Sequence, residues 1–196
     1  KRLKKSLDEK EAMVQEVHHR VKNNMQVVSS LLGLQSMYLE DDKVQNALQE
    51  SQNRVQSMAM VHEKLYQSKN LSSVDMGDYM HQITHHLLKN YQLESNKIKT
   101  NIQTEKVEMD IKTASPLGLI INELITNSIK YAFPEGEGEI TLMICSVDDY
   151  YCLTVADDGV GLPDGFQLDK TETLGLQLVN RLVRQIEGTI ELAESK

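Results

Sequence analysis

Tryptophan is absent from this 196-residue chain, and there are only two phenylalanines against nine methionines. Any core must therefore be packed mainly from aliphatic side chains, with methionine as an adaptable filler. No apolar run approaches the roughly 18 residues that a membrane-crossing helix needs, so no membrane contact is expected, and no secretory leader is visible. The first residue is Lys1 rather than Met, and the chain reads as a cytoplasmic piece of a longer protein. Cysteine is almost lacking too. Cys145 and Cys152 flank an expected hairpin turn in apolar surroundings, and read as small buried hydrophobes rather than a disulfide or a metal pair.

Charge is present but unevenly spread. The formal net charge is -8; residues 1–70 carry 11 basic and 9 acidic side chains, whereas residues 71–196 carry 10 and 20. An acidic second part argues against nonspecific nucleic-acid binding, which depends on Lys and Arg neutralising phosphates. A nucleotide bound there would need specific contacts and a metal ion.

Between residues 3 and 39 there is no proline and only one glycine, Gly33. Leu7, Val14, Val21 and Val28 recur at sevens, with Val17 and Leu31 at the intervening spacing and Met25, Leu32 and Leu39 widening the stripe. This predicts a bundle helix with a coiled-coil-like start. Glu40-Asp41-Asp42 ends it and offers an acidic cap to a second amphipathic helix, reaching about Tyr66. A short connection makes two such helices antiparallel. The stripe is too wide for two helices to bury, so two copies forming a four-helix bundle are expected.

Glu16-Val17-His18-His19-Arg20-Val21-Lys22-Asn23 stands within the first helix. At about 100° per residue, His18 falls at the margin of the stripe and His19 outside it. An exposed neutral imidazole is a nucleophile, with Asn23 one turn further on. A polar belt on a bundle would look the same.

After an expected hinge at Leu71-Ser72-Ser73-Val74, a helix is predicted over Met76–Tyr91. Its His81 and His85 have zinc-compatible spacing, but no third ligand is evident, so a solvated face is the better reading. Ile98 and Ile102 mark a strand. Residues 140–147 and 151–156 predict a hairpin, and Ser115–Ala132 a helix with Ser115 as cap and Pro116 at its first position. On that helix Glu123, Asn127 and Lys130 align at i, i+4 and i+7, apart from an apolar face of Leu117, Ile120, Ile121, Leu124, Ile125 and Ile129. A carboxylate, an amide and an ammonium in a row can hold Mg²⁺ and phosphate oxygens, or form a mixed solvated face. Asp157-Asp158-Gly159-Val160-Gly161 then follows a strand, where an Asp can accept from an adenine amino group and glycines let backbone approach a base. A flexible segment, Leu162–Glu172, leads to a glycine-bearing helix start at Thr173-Leu174-Gly175-Leu176, suited to phosphate. A further strand is expected over Thr189–Glu194.

In that order these motifs resemble a sensor histidine kinase core. Asn122–Tyr131 is similar to an N-box, Asp157–Gly161 to a G1 box, Thr173–Leu178 to a short G2 box, and His19-Arg20-Val21-Lys22-Asn23 to the H-R-x-K-N phosphoacceptor box of the HWE-related subgroup. The resemblance implies an α+β chain: a dimerising helical hairpin over residues 1–70, then a GHKL-type (Bergerat) ATP-binding α/β sandwich over 71–196. It implies that His19 accepts the phosphoryl group from ATP and passes it to a response-regulator aspartate. It gives Asn127 to Mg²⁺, Lys130 to phosphate, and Tyr131 to the adenine or ribose. Asp157 would read adenine; Gly159, Gly161, Gly175 and Leu176 would shape the pocket and lid. Glu123 occupies the position of the superfamily's water-orienting carboxylate. Three departures stand out: Arg20 replaces an acid that many members of the family carry, with Glu16 as the candidate substitute; no separate F-box is visible; and the edge strand that the family usually adds last is expected to be missing. Two other readings are a degenerate kinase acting as a dimeric scaffold, and a GHKL ATPase without phosphohistidine.

Overall fold

The computed structural model describes residues 2–67, 73–91, 97–163, 165–171 and 173–193. Two compact units emerge, residues 1–74 with 109–111 and residues 75–108 with 112–196.

The first unit is an antiparallel pair, α1 (Arg2–Met37) and α2 (Asp42–Gln67). Asp41 begins α2: its Oδ1 accepts from the backbone N–H groups of Lys43 at 2.8 Å and Val44 at 3.2 Å, two donors that the helix itself cannot satisfy. Where the helices meet, Ser29 and Ala59 are buried, beside Lys22, Met25 and Gln52. The apolar stripe is largely uncovered. Val14, Val17, Val28, Leu31 and Leu34 are all exposed, because α2 reaches only one margin of a face wider than one helix. The side chains of Leu7 and Leu65 lie outside the described residues, as do Leu71 and Ser72 of the expected hinge. Of that hinge, Val74 is already in a strand.

After the hairpin in the chain, β1 (Val74–Asp75) and β3 (Glu108–Met109) form a two-stranded sheet. Between them come α3 (Met76–Asn90), capped by Asp75 accepting from Asp78 N–H at 3.1 Å, and β2 (Ile98–Thr104). The main sheet has the order β2-β4-β5, where β4 (Gly138–Val147) runs parallel to β2 and antiparallel to β5 (Tyr150–Asp157). The two-residue turn needs a left-handed Asp148, with φ of 52°. Ile140, Leu142 and Ile144 turn to the buried face, and α3 packs on β2 and β4.

Four expectations are corrected here. The helix predicted from Ser115 begins at Ile111, as α4 (Ile111–Asn127), so Pro116 lies inside it rather than at its first position. Only one ladder bond is lost there, and the fully or nearly buried Ala114, Leu117 and Ile121 hold the turn in place. The same helix does not run to Ala132. From Ser128 to Ala132 it widens into a π-helical turn. The cysteines are not core residues: Cys145 is half-buried and Cys152 exposed, since period-two parity puts them on the face opposite Ile140, Leu142 and Ile144. Finally, residues 189–193 form no strand, because β-propensity alone does not supply a ladder partner; Glu194 is outside the described residues.

The segment expected to be flexible is partly fixed. Residues 168–170 form a 3₁₀ turn, whose Leu168 carbonyl accepts from Asn180 Nδ2 at 2.9 Å on α5 (Leu174–Gln185). Asp164 and Glu172 lie outside the described residues.

Candidate functional site

In the first unit, the histidine pair divides along helical geometry. His18 turns toward α2, with its Nδ1 3.1 Å from His62 Nδ1 and the ring centroids 5.3 Å apart. One ring must supply the proton and the other the lone pair, so two imidazolium ions cannot share this contact. Burial, and secondarily the facing His18, lowers the His62 pKa from 6.5.

His19 is exposed. Asn23, one turn on, brings its amide nitrogen within 3.4 Å of His19 Nδ1. Arg20 Nε donates to Glu16 Oε1 at 2.6 Å, and Glu16 shares a shallow recess with Ala12, Gln15 and His19. Arg20 is thus matched by a carboxylate one turn earlier, that of Glu16. Lys22 Nζ donates to Glu63 Oε1 at 2.6 Å.

The second unit gathers its polar groups where α4 gives way to the π-turn. Asp157, at the end of β5, accepts from Ser128 Oγ at 2.7 Å through Oδ2 and from Gly159 N–H at 3.3 Å through Oδ1. Each oxygen keeps a further lone pair. A Cβ on Gly159 would stand 2.2 Å from the Ala132 carbonyl oxygen, which also accepts from Val160 N–H at 2.9 Å. The close approach that demands glycine here is therefore to the protein's own backbone. Gly161 sits at φ of 75°, in the left-handed region. Asp158 Oδ1 accepts from Glu139 N–H at 2.6 Å, so the strand end is held on both sides.

Glu123, Asn127 and Lys130 do not form the straight row predicted. Glu123 is only 3% exposed and accepts from Asn122 Nδ2 at 3.1 Å. Asn127, half-buried, is the last residue of α4. The wider π-turn displaces Lys130 from that line, and its ammonium lies 5.9 Å from the Tyr91 ring centroid. Tyr131 is 66% exposed. Asn122 Oδ1 and Thr126 Oγ1, one turn apart on α4, are buried polar atoms without a hydrogen-bond partner. Gly175 and Leu176 are half-buried in the first turn of α5, where Thr173 makes no side-chain cap and so does not occupy that turn's N–H groups.

Sequence reading missed Ser128, Ala132, Asp158 and His62 as members of these clusters. Ser128 meets Asp157 across 29 positions, and no local pattern reports such a pair. His62 falls in the four-and-three spacing of Val55, Met58, His62 and Leu65 along the second helix, a pattern that marks its face but not its partner. His81 and His85 are exposed. The neighbouring His86 contacts Asn90 Nδ2 at 2.9 Å, and among the described residues no group of three or more His, Cys, Asp or Glu could hold a metal.

Known proteins share this arrangement. Residues 16–91 match a family described as histidine kinase, and residues 112–196 match the histidine kinase-, DNA gyrase B- and HSP90-like ATPases. The sensor histidine kinase PdtaS of Mycobacterium tuberculosis is 34% identical over 199 residues, covering 100% of this chain and 39% of that protein. The chain thus spans about two fifths of that relative. Blue-light-activated histidine kinase 2 of Erythrobacter litoralis is 26% identical over 183 residues, covering 90% of this chain and 52% of that one. Among solved structures, the histidine kinase domain of the Erythrobacter litoralis EL346 blue-light activated histidine kinase aligns with a TM-score of 0.62 at 25% identity, covering 87% of this chain and 80% of that one. With both family models matched in order along it, the chain belongs to the sensor histidine kinases of the HWE-related type, an α+β fold whose second part is a GHKL-type ATPase domain.

Proposed function

We propose that the chain is an autophosphorylating core: ATP with Mg²⁺ binds the second part, residues 71–196, and the γ-phosphoryl group moves in line to a ring nitrogen of His19 on the hairpin, residues 1–70. The bond between the γ-phosphorus and the bridging oxygen breaks, ADP leaves, and the His19 nitrogen takes the phosphoryl group. A response-regulator aspartate then accepts it. Two copies associate through the apolar face of α1 and α2.

The observation that carries this reading is the division of the histidine pair. His18 is engaged with His62, while His19 is exposed with Asn23 beside Nδ1. An amide can present its oxygen as well as its nitrogen, so Asn23 can accept from Nδ1–H and leave the Nε2 lone pair directed outward. Glu16, held by Arg20 within the same recess, supplies the carboxylate that orients or relieves the proton.

The second part supports nucleotide binding in kind. Asp157 is braced by Ser128 and the Gly159 N–H with acceptor capacity left for an adenine amino group. Gly159 and Gly161 shape the turn beside it, and the first turn of α5, with Gly175 and Leu176, offers N–H groups to phosphate. Lys130 and Tyr131 would meet phosphate and the sugar or base. Asn127 would hold Mg²⁺ through its amide oxygen. Its single-residue contribution suits an ion that takes most ligands from phosphates and water, and the described residues offer no carboxylate cage. When bound, the ion supplies charge neutralisation along the phosphates. Glu123, buried against Asn122, would orient a proton acceptor near the γ-phosphate.

Incubation with γ-labelled ATP and Mg²⁺ should label the protein in an acid-labile, base-stable form. His19→Ala should remove the label and His18→Ala should retain it. Retention of label in His19→Ala, or steady ATP turnover with no phosphoprotein, would overturn the proposal.

A further inference from the structure

The two cysteines lie on the face of the sheet away from Ile140, Leu142 and Ile144, directly across from one another on β4 and β5. The Asp158 N–H to Glu139 carbonyl bond identifies a hydrogen-bonded pair on the extended β4–β5 ladder. Stepping by two along the register makes Cys145 and Cys152 a hydrogen-bonded pair as well, with Cα atoms about 5.5 Å apart. That separation lies inside the span of roughly 4.4–6.8 Å that a disulfide bridges. The Cβ atoms of such strand pairs stand about 4.5–5.5 Å apart, at or beyond the upper limit for a relaxed disulfide. A bond formed here would draw the strands together and would be readily reduced again.

The two thiols also differ in the way a two-step exchange requires. Cys152 is exposed and can be attacked or attack from solvent, whereas Cys145 is half-buried. Partial burial, then the facing Cys152 and the Glu105 carboxylate, raise the Cys145 thiol pKa. Cys145 is thus poorly suited to react first and well placed to react second.

We propose that Cys145 and Cys152 are a reversible oxidation site, a cross-strand dithiol converted to a disulfide by low-molecular-weight disulfides such as oxidised glutathione. The Cys152 thiolate attacks one glutathione sulfur, breaking the glutathione disulfide and releasing one glutathione thiolate. Cys145, losing its proton to solvent, then attacks Cys152 Sγ and expels the second glutathione. Two protein thiols lose two electrons and two protons, and one glutathione disulfide becomes two thiols.

The test uses the intact chain, incubated with oxidised glutathione, then alkylated and weighed whole and as peptides. Wild type should lose both alkylatable thiols, fall in mass by two hydrogens, and regain both sites after dithiothreitol. Cys145→Ser should stop as a single glutathione adduct on Cys152, while Cys152→Ser should leave Cys145 alkylatable. Amide exchange over residues 138–157 should slow in the oxidised form. A wild-type product that stops at the glutathione adduct, a disulfide between two chains on a non-reducing gel, or two thiols that stay alkylatable would each overturn the proposal.

Discussion

α1 and α4 are both helices with regular apolar faces, yet they use them in opposite ways. In α4, Leu117, Ile120, Ile121 and Ile125 are buried, whereas Val17, Val28, Leu31 and Leu34 of α1 stand exposed. The sequence patterns look alike. What differs is the supply of partners: α4 belongs largely to the unit that holds the main sheet, whereas among the described residues α1 packs chiefly on α2. An amphipathic stripe declares that a face needs covering, and the number of elements within reach decides whether one chain can cover it.

That contrast can be broken in stages. Ile121→Ala should cost most, about 2–5 kcal/mol, as a cavity in a fully buried site, measured by chemical denaturation of the second unit. Leu31→Ala, at 55% exposure, should cost no more than about 0.5 kcal/mol in dilute monomer. A larger loss that grows with protein concentration would mean that a second copy covers this face, and sedimentation would read that directly.

Gly159→Ala should come next, at about 2–3 kcal/mol, since the added carbon meets the Ala132 carbonyl rather than a yielding side chain. Its thermal midpoint would report it; an unchanged midpoint would show that the turn shifts freely.

Ser128→Ala removes the hydroxyl that donates to Asp157. The carboxylate is exposed and can recruit water, so the loss should be about 1 kcal/mol. Nucleotide titration of the same variant would show whether a less rigid Asp157 binds more weakly.

The smallest effect is on pH. His62 and His86 both have lowered pKa values in the folded protein, His62 through burial and then His18, His86 through burial, then His85 and Lys89. Such groups bind protons more readily when unfolded, so stability should be unaffected well above 6.5 and fall as the pH drops through that value toward the folded pKa values. Denaturation midpoints at about pH 8 and pH 5 would show it. His62→Gln should flatten part of the dependence.

Much of the architecture was written in periodicity. Sevens in Val14, Val21 and Val28 marked α1, alternation in Ile140, Leu142 and Ile144 marked β4, and an angular argument separated His18 from His19. The failures have a common cause. The π-turn depends on Ser128 meeting Asp157 and on Ala132 meeting Val160, contacts between residues 28 or more positions apart. The start of α4 was hidden because Pro116 looked like a first residue, and β1 and β3 are too short to show a period. Cys145 and Cys152 were misplaced although parity with Ile144 was available to place them. At the candidate site, residue types were legible, but the bracing of Asp157 was not.

The contact between His18 and His62 has a mechanical consequence. Adjacent residues on a helix point about 100° apart, so His18 and His19 are spokes of one wheel. α1 cannot rotate to change what His19 faces without carrying His18 around its axis by the same angle. A hydrogen bond tolerates displacement of only a few tenths of an ångström, whereas a quarter turn moves a side-chain tip by several. The imidazole pair therefore acts as a detent on the axle: torque that reorients His19 must first pull His18 off His62.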